Sequence, residues 1–177
     1  EGLKGHNLGN LLLTALQDMT GSTTEALAIA AKVLRIHGTV IPVTESNVQL
    51  EIEYADGTVL LGEHLLDEPI VPAQKITRMR LTPDAILNPT AAEAIKSADF
   101  IIIGPGDYYA SLQSVLIVSG IAGAFAKSNA KILYFVNLMT RSSQTKDMGA
   151  QEHVLGIERA IGRTLDHIII NNKNIPS

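Results

Sequence analysis

The sequence predicts an α/β fold organised around a parallel sheet, and three observations carry that prediction. First, 46% of the 177 residues are hydrophobic but only 4% are aromatic, and Trp is absent, so the core must be built from Ile, Val, Leu and Ala. Second, Asp99–Ile103, Lys131–Val136 and Asp166–Ile170 hold unbroken apolar runs, the pattern of strands buried on both faces. Third, loops and helical segments alternate with those runs, and two successive crossovers of this kind imply parallel strands with right-handed connections.

The first helix begins at Asn7, a good N-cap residue, and runs to Met19, where Gly21 breaks it. In Ser22-Thr23-Thr24-Glu25 the Ser stands at N-cap and the Glu at N3. That capping box opens a second helix over Ala26–Ile36, with Gly38 as its C-terminal glycine. Thr39–Val43 reads as a short strand ended by proline. Val48–Tyr54 alternates at period two, Asp56-Gly57 turns the chain, and Thr58–Leu61 returns. Asp-Gly between alternating runs is a strong hairpin signal. Residues 63 to 75, with Pro69 and Pro72, read as connecting chain, and Lys75–Leu81 alternates again. Asn88-Pro89 starts a helix to Ala98, since proline suits the first helical position. Helices are then expected over Ser111–Lys127 and from Ala150 to Arg163, between the three apolar strands.

Composition excludes several function classes. The net charge of −4 and a pI of about 5.7 argue against general nucleic-acid binding, which rewards clustered Lys and Arg. No apolar run reaches the ~20 residues that span a bilayer. With no cysteine in these residues, disulfides, thiolate catalysis and Cys-ligated metals are out. The histidines, His6, His37, His64, His153 and His167, show no zinc-type spacing. No nucleophile elbow is present. A cytoplasmic globular protein of one domain is expected, without nucleic-acid or membrane partners. Because the chain opens on a helix where a doubly wound domain begins with a strand and phosphate loop, such a segment is expected upstream of Glu1.

Ligands of open α/β sheets bind outside the carboxyl ends of the strands. Gly104-Pro105-Gly106-Asp107-Tyr108-Tyr109-Ala110-Ser111 follows an apolar strand and precedes a helix. Its glycines allow backbone amides to approach an anion, and a helix start adds positive charge. The same residues would equally make a tight turn. Gly106 is the position at which a side chain is expected to block that approach. Asn137–Thr145, after the next strand, collects hydroxyls, amides and Arg141, which suits phosphate or sugar but also a solvated loop. His6-Asn7-Leu8-Gly9-Asn10 stands at a helix start, where N-capping accounts for it. Glu63-His64 reads as a solvated pair.

Together these segments resemble the 2-phospho-L-lactate transferase-like (CofD-like) family, and in particular its gluconeogenesis-factor branch. Gly5–Leu12 is similar to that branch's G-H-S/N-L-G-N-L-L signature, and Gly38–Thr44 to its G-x-V-x-P-x-T. Asp56-Gly57 and Gly62-Glu63 also match. Ala98–Gly106 looks like A-D-x-I-I-x-G-P-G. Asn137, Met139, Thr140 and Thr145 fall on N-x-M-T-x-x-x-x-T, and His153 on a D-H pair. There are departures. Asp107 stands where a hydroxyl is common, Gln113-Ser114 replaces P-N, and Arg141–Thr145 replaces Q-P-G-E-T.

The resemblance implies a Rossmann-like three-layer α/β/α fold with a mainly parallel sheet and a β-hairpin insertion. Residues 1–177 would be the C-terminal portion of a larger CofD-like domain. It also implies a ligand site drawn from His6, Asn7, Gly9, Asn10, Gly104, Pro105, Gly106, Asp107, Tyr109, Ser111, Asn137, Thr140 and Arg141. The transferase branch moves a phospholactyl group from a guanylyl-activated donor onto a deazaflavin, with magnesium. The other branch is linked to gluconeogenic growth and cell shape and resembles a nucleotide-sugar binder. The leading expectation is therefore a cytoplasmic nucleotide- or nucleotide-sugar-binding regulator, a homo-oligomer without an assigned catalytic residue. Magnesium is its one candidate cofactor, with Asp107 as the ligand. The transferase is the second reading, and a scaffold that oligomerises through aliphatic helices the third.

Overall fold

The computed structural model describes residues 7–62, 75–141 and 143–173. His6, Glu63, His64, the connection holding Pro69 and Pro72, and Ser142 lie outside them. The chain divides into two compact units, Glu1–Glu45 and Ser46–Ser177.

In the first unit, α1 (Leu8–Thr20) and α2 (Thr23–Val33) pack as a pair. Asn7 caps α1 by accepting from Asn10 N at 2.8 Å, and Gly21 closes it with φ 68°. Ser22 Oγ accepts from Glu25 N at 3.3 Å, as the capping box requires. Thr24 donates to the Glu45 carboxylate. α2 ends at Val33, three residues before the expected Ile36, and Gly38 does not cap it. Arg35 takes the left-handed position instead, at φ 52°, while its N–H reaches Lys32 O and Ile36 N–H reaches Ala31 O. Those two bonds are the Schellman closure, which normally selects glycine. Thr39–Val43 forms no strand; Pro42 has no N–H to donate to a ladder, and no strand among the described residues pairs with it.

Among the described residues, the second unit holds two three-stranded sheets. β1 (Gln49–Tyr54) pairs antiparallel with β2 (Val59–Leu61) and with β3 (Ile76–Thr82), in the order β2-β1-β3. The Asp56-Gly57 turn forms as expected, with Asp56 Oδ1 accepting from Thr58 N at 2.9 Å and Gly57 at φ 86°. Leu50, Ile52, Tyr54 and Ile76 make the buried face of this sheet, and Tyr109 and Ala110 pack against it.

α3 (Pro89–Ser97), capped by Asn88, leads into β4 (Phe100–Ile103). Parallel pairing of β4 with β5 (Lys131–Phe135), and of β5 with β6 (His167–Ile169), gives the order β4-β5-β6. The chain is thus a mixed α/β fold with a parallel sheet, as the alternation predicted. Ile103, Ile132 and Tyr134 are buried, whereas Phe100 and Ile102 on the alternate positions are 66% and 63% exposed. Ile157 and Ile161 of α6 (Ala150–Ile161) are fully buried, and such side chains contribute about 1.5–3 kcal/mol each by burial.

The helix expected over Ser111–Lys127 is broken into pieces. A π-helical segment, Tyr108–Gln113, runs into the short α4 (Ser114–Leu116), and α5 (Ile121–Ala126) follows after a gap. Ile117 and Val118 are β-branched and poor helix formers, and Gly120 stands at φ 104°. Ser119 between them exchanges backbone bonds with Ala85 and Leu87.

At the amino ends of the strands, Asp166 ties β6 to β5. Its Oδ1 accepts from Lys131 Nζ at 2.8 Å and its Oδ2 from Ile132 N at 3.0 Å. Those contacts hold its carboxyl below the ordinary aspartate value. Arg163 donates to Ser128 O and Ala130 O on the same side.

Candidate functional site

At the opposite, carboxyl ends of β4 and β5, two loops meet. After Ile103 the chain turns through Gly104 at φ 71°, and the Gly104–Pro105 peptide is cis. A Cβ on Gly104 would lie 3.1 Å from Phe135 O and 3.5 Å from the Tyr134 ring. The turn is therefore pressed against β5, and the left-handed position falls at Gly104. Gly106 does not share it: a Cβ there would meet the Leu112 side chain at an ordinary 3.4 Å. The loop after β5 is tied to this turn by Asn137, whose Nδ2 donates to Gly106 O at 2.8 Å.

Arg141 donates from Nη1 to Asp107 Oδ2 at 2.9 Å, and both side chains remain partly exposed. The 141–145 segment folds on itself. Arg141 N donates to Thr145 Oγ1, while Gln144 N and Thr145 N donate to Arg141 O. This buries Gln144, 3% exposed. Its Oε1 accepts from Tyr109 N at 3.3 Å and Ala110 N at 3.4 Å. The free amides at the start of the π-helical segment are thus taken by a side chain from the neighbouring loop, and Asp107 makes no cap of its own. An anion site or a tight turn was equally compatible with this loop, and in the structure the Tyr109 and Ala110 amides have a resident partner.

Pro105, Gly106, Asp107, Asn137, Thr140 and Arg141 come together along one cleft of about 380 Å³. Tyr109 lines another cavity of about 760 Å³ beside Lys75, Lys146 and Arg159, and Gly104 and exposed Ser111 line neither. Tyr108 and Gln144 border both spaces. In the first unit the Asn7 side chain caps α1 by accepting from the backbone N–H of Asn10, and Gly9 lies in that first turn. Among the described residues no group of three or more His, Asp or Glu is placed to hold a metal.

The sequence assigns no packing role to Tyr108, His153 or Gly156, and the structure gives each one. Tyr108, buried, donates its hydroxyl to His153 O at 3.2 Å and accepts from Gln113 Nε2 at 2.9 Å. Burial pushes its phenol well above the ordinary tyrosine value, and pushes Tyr134 up to about 12. His153 packs edge-on against the Tyr108 ring, centroids 4.6 Å apart. Gly156 admits this packing, because a Cβ there would overlap the Tyr108 hydroxyl. The signal was available: His153, Ile157 and Ile161 repeat every four residues on the buried stripe of α6.

This arrangement of loops on a parallel sheet has known counterparts. The family model described as 2-phospho-L-lactate transferase CofD matches residues 1–177. The chain belongs to the CofD family. Within that family it is similar to a gluconeogenesis-factor relative from Nostoc sp., 42% identical over 100% of this chain and 39% of the relative. The protein named Gluconeogenesis factor from Bacillus subtilis is 38% identical, over 98% of this chain and 55% of its own length. A crystal structure of a UPF0052 family member from Bacillus halodurans superposes with a TM-score of 0.90 at 35% identity, covering 99% of this chain and 56% of that one. This CofD-family chain spans about half the length, or less, of the curated relatives it matches. No helix among its described residues is long and apolar enough to cross a membrane.

Proposed function

We propose that this CofD-family chain forms part of a nucleotide- or nucleotide-sugar-binding regulator of carbon metabolism and cell shape, of the gluconeogenesis-factor type. The observation that carries the reading is the strand-end cleft, where Arg141 and the amide of Asn137 converge on a glycine turn. A guanidinium makes planar, bidentate contact with phosphate oxygens, and the Asp107–Arg141 pair is exposed enough to open for a ligand. Magnesium fits a modest role here. It is commonly held by one or two carboxylates together with substrate phosphates, and Asp107 supplies one carboxylate at the rim. The regulator is read as a cytoplasmic homo-oligomer, without nucleic-acid or membrane partners. Calorimetric titration of the full-length protein with nucleoside diphosphates and their sugar esters tests the ligand. Absence of binding to every member of the panel at millimolar concentration defeats it.

One observation favours a second reading. The larger cavity borders Tyr108 and Gln144, which also line the cleft, so donor and acceptor could sit side by side as a transferase of phospholactyl groups to a deazaflavin requires. Turnover of an activated donor with a deazaflavin acceptor supports this reading; tight nucleotide-sugar binding without turnover supports the first.

A further inference from the structure

The larger cavity, about 760 Å³, falls within the volume range of small-molecule sites. Three basic side chains meet on its lining from three separate elements: Lys75 just before β3, Lys146 in the loop after β5, and Arg159 on α6. All three are exposed. None forms an ion pair among the described residues, whereas Arg80, Lys131, Arg141 and Arg163 of the same unit each hold a carboxylate.

Two carboxylates share the wall. Glu152 has one oxygen committed, its Oε2 accepting from Gly149 N at 2.9 Å, and Asp147 follows Lys146 in the chain. Three cations against two carboxylates leave the space net positive. Arg159 acts on the inner wall: burial raises the Tyr108 phenol, and the guanidinium works against that rise. Like charges around one partly enclosed space repel one another, and walls of low dielectric concentrate their field on whatever enters. An anion relieves that repulsion.

The rest of the lining selects the body that carries the anion. The Tyr109 ring stands edge-on to Tyr108, centroids 4.9 Å apart, and its hydroxyl donates to Met148 Sδ at 3.8 Å. Leu155 of α6, 48% exposed, borders the same space. A bare inorganic anion leaves this apolar surface in water, whereas an apolar ring covers it at a gain of about 25 cal/mol per Å². We propose that the cavity binds a small organic polyanion built on an apolar or aromatic body, its negative groups held by Lys75, Lys146 and Arg159. The assignment rests on the cavity's own residues and stands whether or not the strand-end cleft takes a nucleotide.

The probe is trimesate, a flat benzene ring bearing three carboxylates, compared with citrate, phenyl phosphate and inorganic pyrophosphate. Full-length protein carrying ¹³C-methyl methionine reports where each binds, because Met148 lines the cavity and Met139 lines the cleft. Trimesate is expected to move the Met148 resonance and leave Met139 in place, to bind more tightly than citrate, and to weaken as salt rises. Its affinity relative to phenyl phosphate tells whether carboxylate or phosphate is the preferred group. By calorimetry, Lys146→Gln and Arg159→Gln should each weaken trimesate about tenfold, as for one lost bond to a charged group. Arg159→Lys, which keeps the charge, should weaken it less, and Arg141→Ala in the cleft should leave it unchanged. Absence of binding by every probe at millimolar concentration overturns the site. So does binding that moves Met139 alone, or that ignores both glutamine substitutions. Citrate or pyrophosphate bound as tightly as trimesate overturns the apolar body. Failure of nucleoside diphosphates to bind the cleft counts against the function proposed above and leaves this result untouched.

Discussion

Arg141 reaches across the mouth of the strand-end cleft to Asp107, Nη1 to Oδ2 at 2.9 Å, and so links the loop after β5 to the loop after β4. The basic side chain that an anionic ligand would use is shared with a carboxylate. An exposed pair of this kind is worth only about 0–1 kcal/mol, which a phosphate can replace.

Opposite signs are therefore expected for the two partners. Arg141→Ala should weaken nucleoside diphosphate binding by about 2–3 kcal/mol, the scale of a lost hydrogen bond to a charged group, and Arg141→Lys by less because it loses the bidentate fork. Asp107→Asn should strengthen binding in the presence of a chelator, because a competing negative charge is gone. If Asp107 instead holds magnesium, the same substitution weakens binding only when the metal is present. Calorimetry of both variants with magnesium and with chelator distinguishes these outcomes, and indifference of both residues in every condition moves the site elsewhere.

The backbone demand of the first loop falls on Gly104. Gly104→Ala should destabilise the fold by about 1–2 kcal/mol for the left-handed conformation, with more added by the approach of its Cβ to Phe135 O. Gly106→Ala should be close to neutral in stability, since that position has no positive φ and its neighbour is the end of a flexible leucine. Chemical denaturation of both variants measures the contrast. Equal losses would show that the turn can be rebuilt without Gly104 in its present conformation.

Periodicity and punctuation explain why much of this fold was legible. The Asp56-Gly57 hairpin, the Asn88-Pro89 start and the three parallel strands each combine a local signal with a tertiary role that agrees with it. Thr39–Val43 failed because a strand needs a partner, and partners lie outside any window of sequence. Ser111–Lys127 failed because apolarity alone does not distinguish a continuous helix from one that leaves its path at Ile117–Gly120 to bond Ala85 and Leu87. In the cleft, the loops following the strands were visible, but Gln144 was not. Its role depends on a 35-residue separation from Tyr109 that only the parallel β4–β5 pairing closes.

That role carries its own expectation. Gln144→Leu keeps the side-chain volume and removes the acceptor, leaving Tyr109 N and Ala110 N without it in a partly buried setting. A loss of about 1–3 kcal/mol is expected. Hydrogen exchange should quicken at Tyr109 and Ala110 before it does at β1 or β5. An unchanged exchange pattern would mean that packing of Tyr109 on the antiparallel sheet holds the segment alone.

At the far end of the sheet, Asp166 provides a pH test. Its carboxyl is held below the ordinary aspartate value chiefly by the Lys131 ammonium, with the Ile132 N–H next and Arg163 adding to both. A carboxylate depressed in the folded state contributes stability that is fully present above its unfolded value of about 3.9 and is lost as pH falls through the folded value. Asp166→Asn should therefore lower the melting temperature at pH 7, while wild type and variant converge in acid below the ordinary carboxylate range. Salt separates the contributions at neutral pH. High ionic strength screens the exposed Lys131 partner, but it leaves the Ile132 N–H bond in place, so part of the difference between wild type and variant should survive. A difference that persists undiminished in strong acid would mean that Asp166 acts through its shape in the β5–β6 corner, and that its charge contributes nothing.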